Sequence, residues 1–178
     1  MTELTGDGWA AALVGHQWPG SSALDILSAA AVSRRSACNA FHDYADVLRS
    51  AADVLSDQRG DTADGIRAAF RGGEDHARAV AERNAAKTAA LTQAHGYASA
   101  LRSALQEIAE RGSRLIRSIL DGDEPAPVKT ARIAEVVAAA QTEADGRAAL
   151  CLADLRRSIQ AVLDASGADM SVHGFSGG

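Results

Sequence analysis

The sequence has few aromatic residues, cysteines and prolines, and each shortage excludes a class of structure. Aromatic residues make up only 4% of the 178 residues, which excludes a thick core built around aromatic rings. The two cysteines, Cys38 and Cys151, form no disulfide framework, and we interpret them as buried thiols near the apolar faces of their helices. Because there are only three prolines, long stretches of the chain contain no helix breaker.

Positive charge and long apolar runs are also scarce. The formal net charge is −5 and the arginines alternate with acidic residues, so the basic surface typical of nucleic-acid-binding proteins is missing. No apolar run approaches the roughly 18 residues that cross a membrane, and the first residues lack the positive region of a secretory signal. We therefore predict no nucleic-acid partner, no membrane span and no Sec export.

Motifs for metal binding and catalysis are missing as well. Carboxylate-bridged metal bundles need Glu-x-x-His pairs, but none of His42, His76 and His95 has a glutamate three residues before it. The sequence contains no Cys-x-x-Cys pair, phosphate loop, dinucleotide fingerprint or nucleophile elbow. We predict that the protein is not an enzyme and has no catalytic residue, metal or cofactor. A ligand pocket between helices, the less favoured alternative, would contain His42, Tyr44, His95 or Tyr97.

The chain is rich in alanine, with 40 such residues, and its larger apolar residues recur every three or four positions. This spacing is typical of long helices that each carry one apolar face. It predicts helices at about 21–59, 62–120 and 129–166, after an N-terminal lead-in over residues 1–20 and before a flexible tail at 167–178. The expected fold is all-α, an elongated antiparallel bundle of three long helices plus a short N-terminal helical segment.

The second long helix has the most regular apolar pattern, and two features of it leave alternatives open. The pair Gly72-Gly73 either lies within the helix or separates residues 62–72 as a short helix of their own. The apolar face either packs entirely within the chain or binds a helix of another protein or of a second copy. The candidate interface residues for a partner are Leu91, Ala98, Leu101, Leu105 and Ile108.

Trp18-Pro19-Gly20, followed at once by a long alanine-rich helix, resembles the Trp-x-Gly element of the WXG100 superfamily. That superfamily includes the related PPE and Esp-type proteins of actinobacterial type VII (ESX) secretion. The later helices are similar to the helical N-terminal modules of toxins secreted by the same route. The resemblance implies that Trp18 and Gly20 are structural residues of the turn and that Trp9 packs nearby.

The same resemblance implies a non-enzymatic protein that binds other helical proteins or itself and is escorted by a secretion chaperone. Its location would be cytoplasmic or, by the non-Sec type VII route, outside the cell. The export motif of the family, Tyr followed four residues later by Asp or Glu, is absent, because Leu48 follows Tyr44 and Leu101 follows Tyr97. Export would then depend on a partner. The alternative is a cytosolic structural protein that self-associates as a coiled coil.

Overall fold

The computed structural model describes residues 8–165, and every regular element in that range is an α-helix. The described part of the chain has no β-strand, which confirms the expected all-α class with three long helices and a short N-terminal one. The expected tail at 167–178 and residues 1–7 of the lead-in lie outside the described residues. The four helices are α1 (Ala10–Val14), α2 (Ser21–Val54), α3 (Asp61–Asp121) and α4 (Ala126–Ala165).

The connection between α2 and α3 begins earlier than the sequence pattern predicts, because α2 ends at Val54. The guanidinium of Arg67 donates hydrogen bonds to the backbone carbonyls of Leu55, at 3.2 Å, and Ser56, at 3.0 Å. These bonds satisfy carbonyl groups just beyond the helix end. Gly60 has a φ of +117°, a conformation that side chains rarely allow, and α3 starts at the next residue.

The connection between α3 and α4 is shorter than expected, because α4 begins at Ala126 and not near residue 129. The carbonyl of Pro125 accepts hydrogen bonds from the backbone N–H groups of Val128, at 2.9 Å, and Lys129, at 3.1 Å. Pro127 fits in this first turn because a helix's first N–H groups have no partner within the helix. Residues 126–128, which the sequence pattern leaves outside a helix, therefore belong to the first turn of α4.

Gly72 and Gly73 do not interrupt α3, which runs for 61 residues. A Cβ atom added at Gly73 would lie 3.1 Å from Cδ1 of Leu48 on α2, whereas one at Gly72 would meet nothing within 4 Å. Gly73 therefore lets α2 and α3 approach closely, and residues 62–72 are not a separate helix.

Contacts group the chain into two compact units. Unit 1 combines the described residues up to Leu27 with Gln93–Arg157, and unit 2 combines Ser28–Thr92 with the described residues from Ser158 onward. In unit 2, the ion pair of Asp46 and Arg78, read with the Leu48–Gly73 contact, shows that α2 and α3 are antiparallel. In unit 1, the ion pair of Arg111 and Glu143, read with the recess shared by Tyr97 and Cys151, shows that α3 and α4 are antiparallel too.

The core of unit 1 contains large aliphatic side chains. Leu13 and Val14 of α1 are buried against residues of α3 and α4, and the tryptophans of the lead-in pack on the same cluster. Burial of such side chains stabilises a fold by about 1.5–3 kcal/mol each. The buried cluster consists of Ala10, Leu13, Val14, Leu105, Ile108, Ala109, Ile116, Ala140 and Ala144.

The core of unit 2 is built from alanine. A polar residue, Asn84, is also buried there, and its side-chain amide donates a 2.9 Å hydrogen bond to the carbonyl of Val80 one turn earlier. Small side chains let helices pack closely but remove little apolar area from water. The buried apolar residues of unit 2 in the described range are Ala31, Ala45, Ala52, Ala77 and Ala81.

None of the helices in residues 8–165 is long and apolar enough to cross a lipid bilayer.

Candidate partner-binding groove

In unit 1, the antiparallel helices α3 and α4 form a groove in which the short helix α1 lies. Leu13 of α1 is fully buried against α3 at Gly112. A Cβ atom at Gly112 would lie 2.6 Å from Cδ2 of Leu13, which is closer than two carbon atoms can pack. Only glycine at this position therefore leaves room for Leu13 as it is placed. The space left by the absent side chain of Gly112 therefore positions α1 along α3.

Two hydrogen bonds bind α1 and the following turn to α4. The amide of Gln141 donates to the backbone carbonyl of Ala12 at 2.8 Å, and thus satisfies one of the carbonyls near the C-terminal end of α1. The amide of Gln17 donates to a carboxylate oxygen of Asp145 at 3.0 Å. α1 is therefore held by polar contacts to α4 and by apolar contacts to α3.

The Trp18-Pro19-Gly20 segment joins α1 to α2, and Trp18 packs against the core cluster of unit 1. The guanidinium of Arg102 lies over the indole ring, 5.1 Å from its centroid, within the range of a cation–π interaction. Trp9 packs on the same cluster. The two tryptophans singled out by the WXG100 resemblance therefore contact one core.

Neither the backbone conformation nor the packing at position 20 requires a glycine. Its φ is not positive, and an added Cβ would meet only Oγ of Ser22, at 3.7 Å. The conformation that requires glycine occurs at Gly15, which ends α1 with a φ of +60°. A glycine just after a short apolar segment is the usual sequence signal for such a helix end.

The groove remains open on α3 and α4 beside the segment that contacts α1. The open part has a volume of about 400 Å³, which is within the range of protein binding clefts, and Leu115 on it is half exposed. Its apolar surface shares Ile108, Gly112 and Ala140 with the contacts around α1. The apolar lining residues are Ile108, Gly112, Leu115, Ile119, Val136, Ala139 and Ala140.

Paired charges border the open groove. Arg111 of α3 forms an ion pair with Glu143 of α4. Arg132 donates to both carboxylate oxygens of Glu124, at 2.6 and 2.7 Å, and these hydrogen bonds, followed by the negative charge of Glu124, raise the pKa of Arg132. Glu135 also lines the groove. An apolar floor with both signs of charge at its edge matches the surface of an amphipathic helix.

The candidate interface residues occupy different environments. Leu105 and Ile108 are buried in the core of unit 1, where α1 and α4 account for their packing, and Leu101 packs half-buried against that core. Ala98 is also half-buried in unit 1, and Leu91 is half-buried in unit 2. Sequence reasoning missed Leu115, Val136 and Ala139 of the open groove, because the apolar face alone does not show which part α1 covers.

The residues suggested for a ligand pocket are also spread over the chain. His42 and Tyr44 are exposed on α2 in unit 2, and His95 is half-buried on α3 in unit 1. Tyr97 lines a small recess of about 140 Å³ in unit 1, together with Leu101 and Cys151. Within the described residues, no three His, Cys, Asp or Glu side chains are placed to hold a metal ion.

Comparison with known proteins finds a distant relative. The chain is 29% identical over 156 residues to the uncharacterized protein Rv2082 of Mycobacterium tuberculosis. The match covers 88% of this chain but only 21% of the relative, so the chain spans about a fifth of the length of the protein that it matches. No protein-family model and no solved structure match the chain.

Proposed function

We propose that this chain is a non-enzymatic interaction protein of type VII (ESX) secretion that binds a partner helix in the open part of the α3–α4 groove. The observation that carries the proposal is that α1 already lies as a helix in this groove, and the apolar lining continues past it. A surface that packs a helix in cis has the width and apolar character needed to pack another in trans.

The link to type VII secretion has two supports. The Trp18-Pro19-Gly20 segment joins the short helix α1 to α2, and the packing of Trp18 on a helical core agrees with the structural role that the WXG100 resemblance gives this tryptophan. The relative is a mycobacterial protein, and type VII systems belong to the actinobacteria in the same resemblance. The partner would be a helical protein, either a secretion chaperone or a protein exported together with this chain.

Export is the measurement that tests the link to secretion. The tagged chain and its Trp18→Ala variant are expressed in an actinobacterial host with and without a working type VII system, and culture filtrate is compared with lysate. We expect the wild-type chain in the filtrate only when the system works, and less of the Trp18→Ala variant there. Retention of the wild-type chain in the cytosol of both strains would contradict a role as an exported protein.

The groove is tested in the same host by Leu115→Lys. A lysine in the apolar floor of the groove prevents a partner helix from packing, because placing a charged side chain against an apolar helix face costs free energy. Leu152→Lys is the matched control, since Leu152 is also about half exposed in unit 1 but does not line the groove. We expect Leu115→Lys to remain in the lysate, folded, and Leu152→Lys to be exported. Equal export of the two variants would exclude the groove as the partner site.

A further inference from the structure

The short helix α1 depends on the groove for its helical structure. It has five residues, whereas isolated helices shorter than about 12–15 residues are marginal in water. Within the described residues, no side chain caps its N-terminal end at Trp9. Leu13 and Val14 are almost fully buried, while Ala11 and Ala12 are exposed. α1 is therefore helical because one of its faces packs on α3 and α4.

The direction of α1 in unit 1 follows from its contacts and from those of the turn after it. Later residues of this segment contact later residues of α4 but earlier residues of α3. The contacts are those of Ala12 with Gln141, Gln17 with Asp145, Leu13 with Gly112, and Trp18 with Arg102. α1 is therefore parallel to α4 and antiparallel to α3. Its N-terminal end points towards the open part of the groove, whose lining extends to Ile119 on α3 and back to Arg132 on α4.

The open part of the groove is short compared with an ordinary helix. From Gly112 to Ile119 the helical rise gives a length of about 11 Å, or roughly two turns. Beyond Ile119, α3 ends at Asp121. The groove therefore continues only in the other direction, onto the surface that α1 covers. A helix of about three to four turns, the average in globular proteins, is too long to bury its whole apolar face in the open part alone.

The open part and α1 share the space at Gly112. The apolar floor of the open part includes Ile108, Gly112 and Ala140, and the same residues surround α1. The space over Gly112 fits one side chain, because Cδ2 of Leu13 is already 2.6 Å from the position of an added Cβ. A second helix therefore packs on Gly112 only after Leu13 has left.

The junction after α1 lets this helix leave while the following turn stays in place. Gly15 ends α1 with a φ of +60°, and an added Cβ there would meet nothing within 4 Å. After this glycine, Trp18 is held by Arg102 and by the core of unit 1. A detached α1 thus remains tethered near the groove at a high effective concentration, so it competes with any helix that binds there.

We propose, on the basis of the proposed function, that α1 is an autoinhibitory helix, which covers the groove at Gly112 until a longer partner helix replaces it. The partner helix is parallel to α4, as α1 is. It places a leucine over Gly112 and a small residue three positions earlier, as Leu13 and Ala10 do. Aliphatic residues on the N-terminal side of that small residue cover Leu115 and Ile119 in the open part.

The test uses the purified full chain and one synthetic helix as the probe. The peptide contains residues 9–18 of this chain after about two designed turns of alanine and lysine, with leucines four and seven positions before Ala10, so that one apolar face continues along the helix. Fluorescence anisotropy of the labelled peptide gives its apparent Kd for each variant of the chain. Circular dichroism verifies that all variants retain their helices.

Substitutions in α1 of the chain should make the peptide bind more tightly. We expect Leu13→Ala to lower the apparent Kd by at least about tenfold, because it raises the fraction of molecules in which α1 is detached. Val14→Ala is a milder change at a second buried residue of α1 and should lower the apparent Kd by at least about threefold. The control is Ala11→Ser at an exposed position of α1, and we expect it to bind the peptide as the wild-type chain does.

The leucine of the peptide shows which space the peptide occupies. In the Leu13→Ala chain, the space over Gly112 is vacant, and the leucine of the peptide fills it. Leu13→Ala in the peptide should therefore raise its Kd for this chain by at least about tenfold. A peptide that does not bind, or that binds the wild-type and the Leu13→Ala chains equally, would overturn the autoinhibitory role of α1.

Leu115→Lys in the chain separates this role from the proposed function of the open part. We expect it to weaken binding of the peptide, because Leu115 lines the open part. If Leu13→Ala tightens binding but Leu115→Lys has no effect, α1 is displaced and only the open part is wrong as a helix site. If Leu115→Lys weakens binding but Leu13→Ala has no effect, the open part binds a helix beside α1, and the autoinhibitory role is wrong.

Discussion

Units 1 and 2 are both built from antiparallel, alanine-rich helices, yet only unit 1 buries large aliphatic side chains within the described residues. The buried core of unit 1 contains leucine, isoleucine and valine, and α1 contributes two of these residues. The buried apolar residues of unit 2 in the described range are all alanines. Since the free energy of burial scales with the apolar area removed from water, unit 1 gains more from packing for each buried position.

The comparison shows what a five-residue helix contributes. α1 supplies Leu13 and Val14, which together with Trp9 and Trp18 cover apolar surface of α3 and α4. In unit 2 the large apolar residues Tyr44, Val47 and Val54 are exposed on α2. The fully buried positions of unit 1 therefore include large aliphatic residues, whereas those of unit 2 in the described range are alanines and the large residues Tyr44, Val47 and Val54 lie outside its core.

The largest expected effect comes from truncating one leucine in each unit, which tests the difference between the two cores. Leu105→Ala removes a fully buried side chain from unit 1 and should lower the free energy of unfolding by about 2–5 kcal/mol. Leu48→Ala removes a half-buried side chain from unit 2, and a loss of only about 1 kcal/mol is expected. Urea unfolding of both variants, followed by circular dichroism, gives the two values.

In the same urea unfolding experiment, tryptophan fluorescence reports on unit 1, because both tryptophans of the chain pack on its core. We expect Leu105→Ala to shift the fluorescence transition to lower urea and Leu48→Ala to leave it nearly in place. Equal losses of stability from the two substitutions would mean that the alanine core of unit 2 holds its leucines as tightly as unit 1 does, and the proposed contrast would be wrong.

Much of this contrast depends on contacts that a sequence pattern does not contain. The periodicity of apolar residues predicted three long helices after a short N-terminal one, because helix signals are local. The contact between Gly112 and Leu13 was not predictable, since about a hundred residues separate the two in the chain and nothing local encodes which helix covers which face.

The exposed apolar residues of α2 were missed for a related reason. Each helix was assigned a single apolar face, and for α2 the buried one fits residues such as Ala31, Ala45 and Ala52. Ile26 and Val47 belong to a second row on the opposite side, which becomes visible only when burial distinguishes the two rows. The groove beside α1 was missed similarly, because its lining becomes a separate surface only after α1 is placed.

Alanine substitutions at three glycines of α3 should change the free energy of unfolding by intermediate amounts. The expected sign of this change differs between the units. Gly112→Ala would drive a Cβ into the buried Leu13, and the resulting overpacking should cost about 1–3 kcal/mol, more than the roughly 1 kcal/mol gained from better helix propensity. Gly72→Ala meets nothing within 4 Å and should stabilise the protein by up to about 1 kcal/mol.

Gly73→Ala lies between these two cases. Its Cβ would be 3.1 Å from Cδ1 of Leu48, but that atom is the end of a flexible, half-buried side chain that can turn away. We expect a small net gain in the free energy of unfolding, below that of Gly72→Ala. Thermal unfolding of the three single variants ranks them. A destabilised Gly73→Ala of the same size as Gly112→Ala would show that α2 and α3 in unit 2 are packed as rigidly as α1 is in unit 1.

The smallest expected effect comes from the two free cysteines, one in each unit. Cys151 is buried in unit 1, and burial, followed by the negative charge of Asp154, raises the pKa of its thiol. Cys38 is half-buried in unit 2. Because the thiolate is the reactive form, a maleimide at pH 8 should modify Cys38 faster than Cys151 by at least about tenfold. Mass spectrometry of the Cys38→Ser and Cys151→Ser variants gives each rate separately.

The raised pKa also predicts the sign of a pH effect on stability. The folded state favours the neutral thiol of Cys151, so its contribution is complete below the unfolded-state pKa of about 9 and is lost as pH rises through the higher folded-state value. Cys151→Ser should remove this alkaline loss, and Cys38→Ser serves as the control. Equal maleimide rates at the two cysteines would mean that unit 1 opens around Cys151 as readily as unit 2 exposes Cys38, so that its larger buried side chains give no local protection.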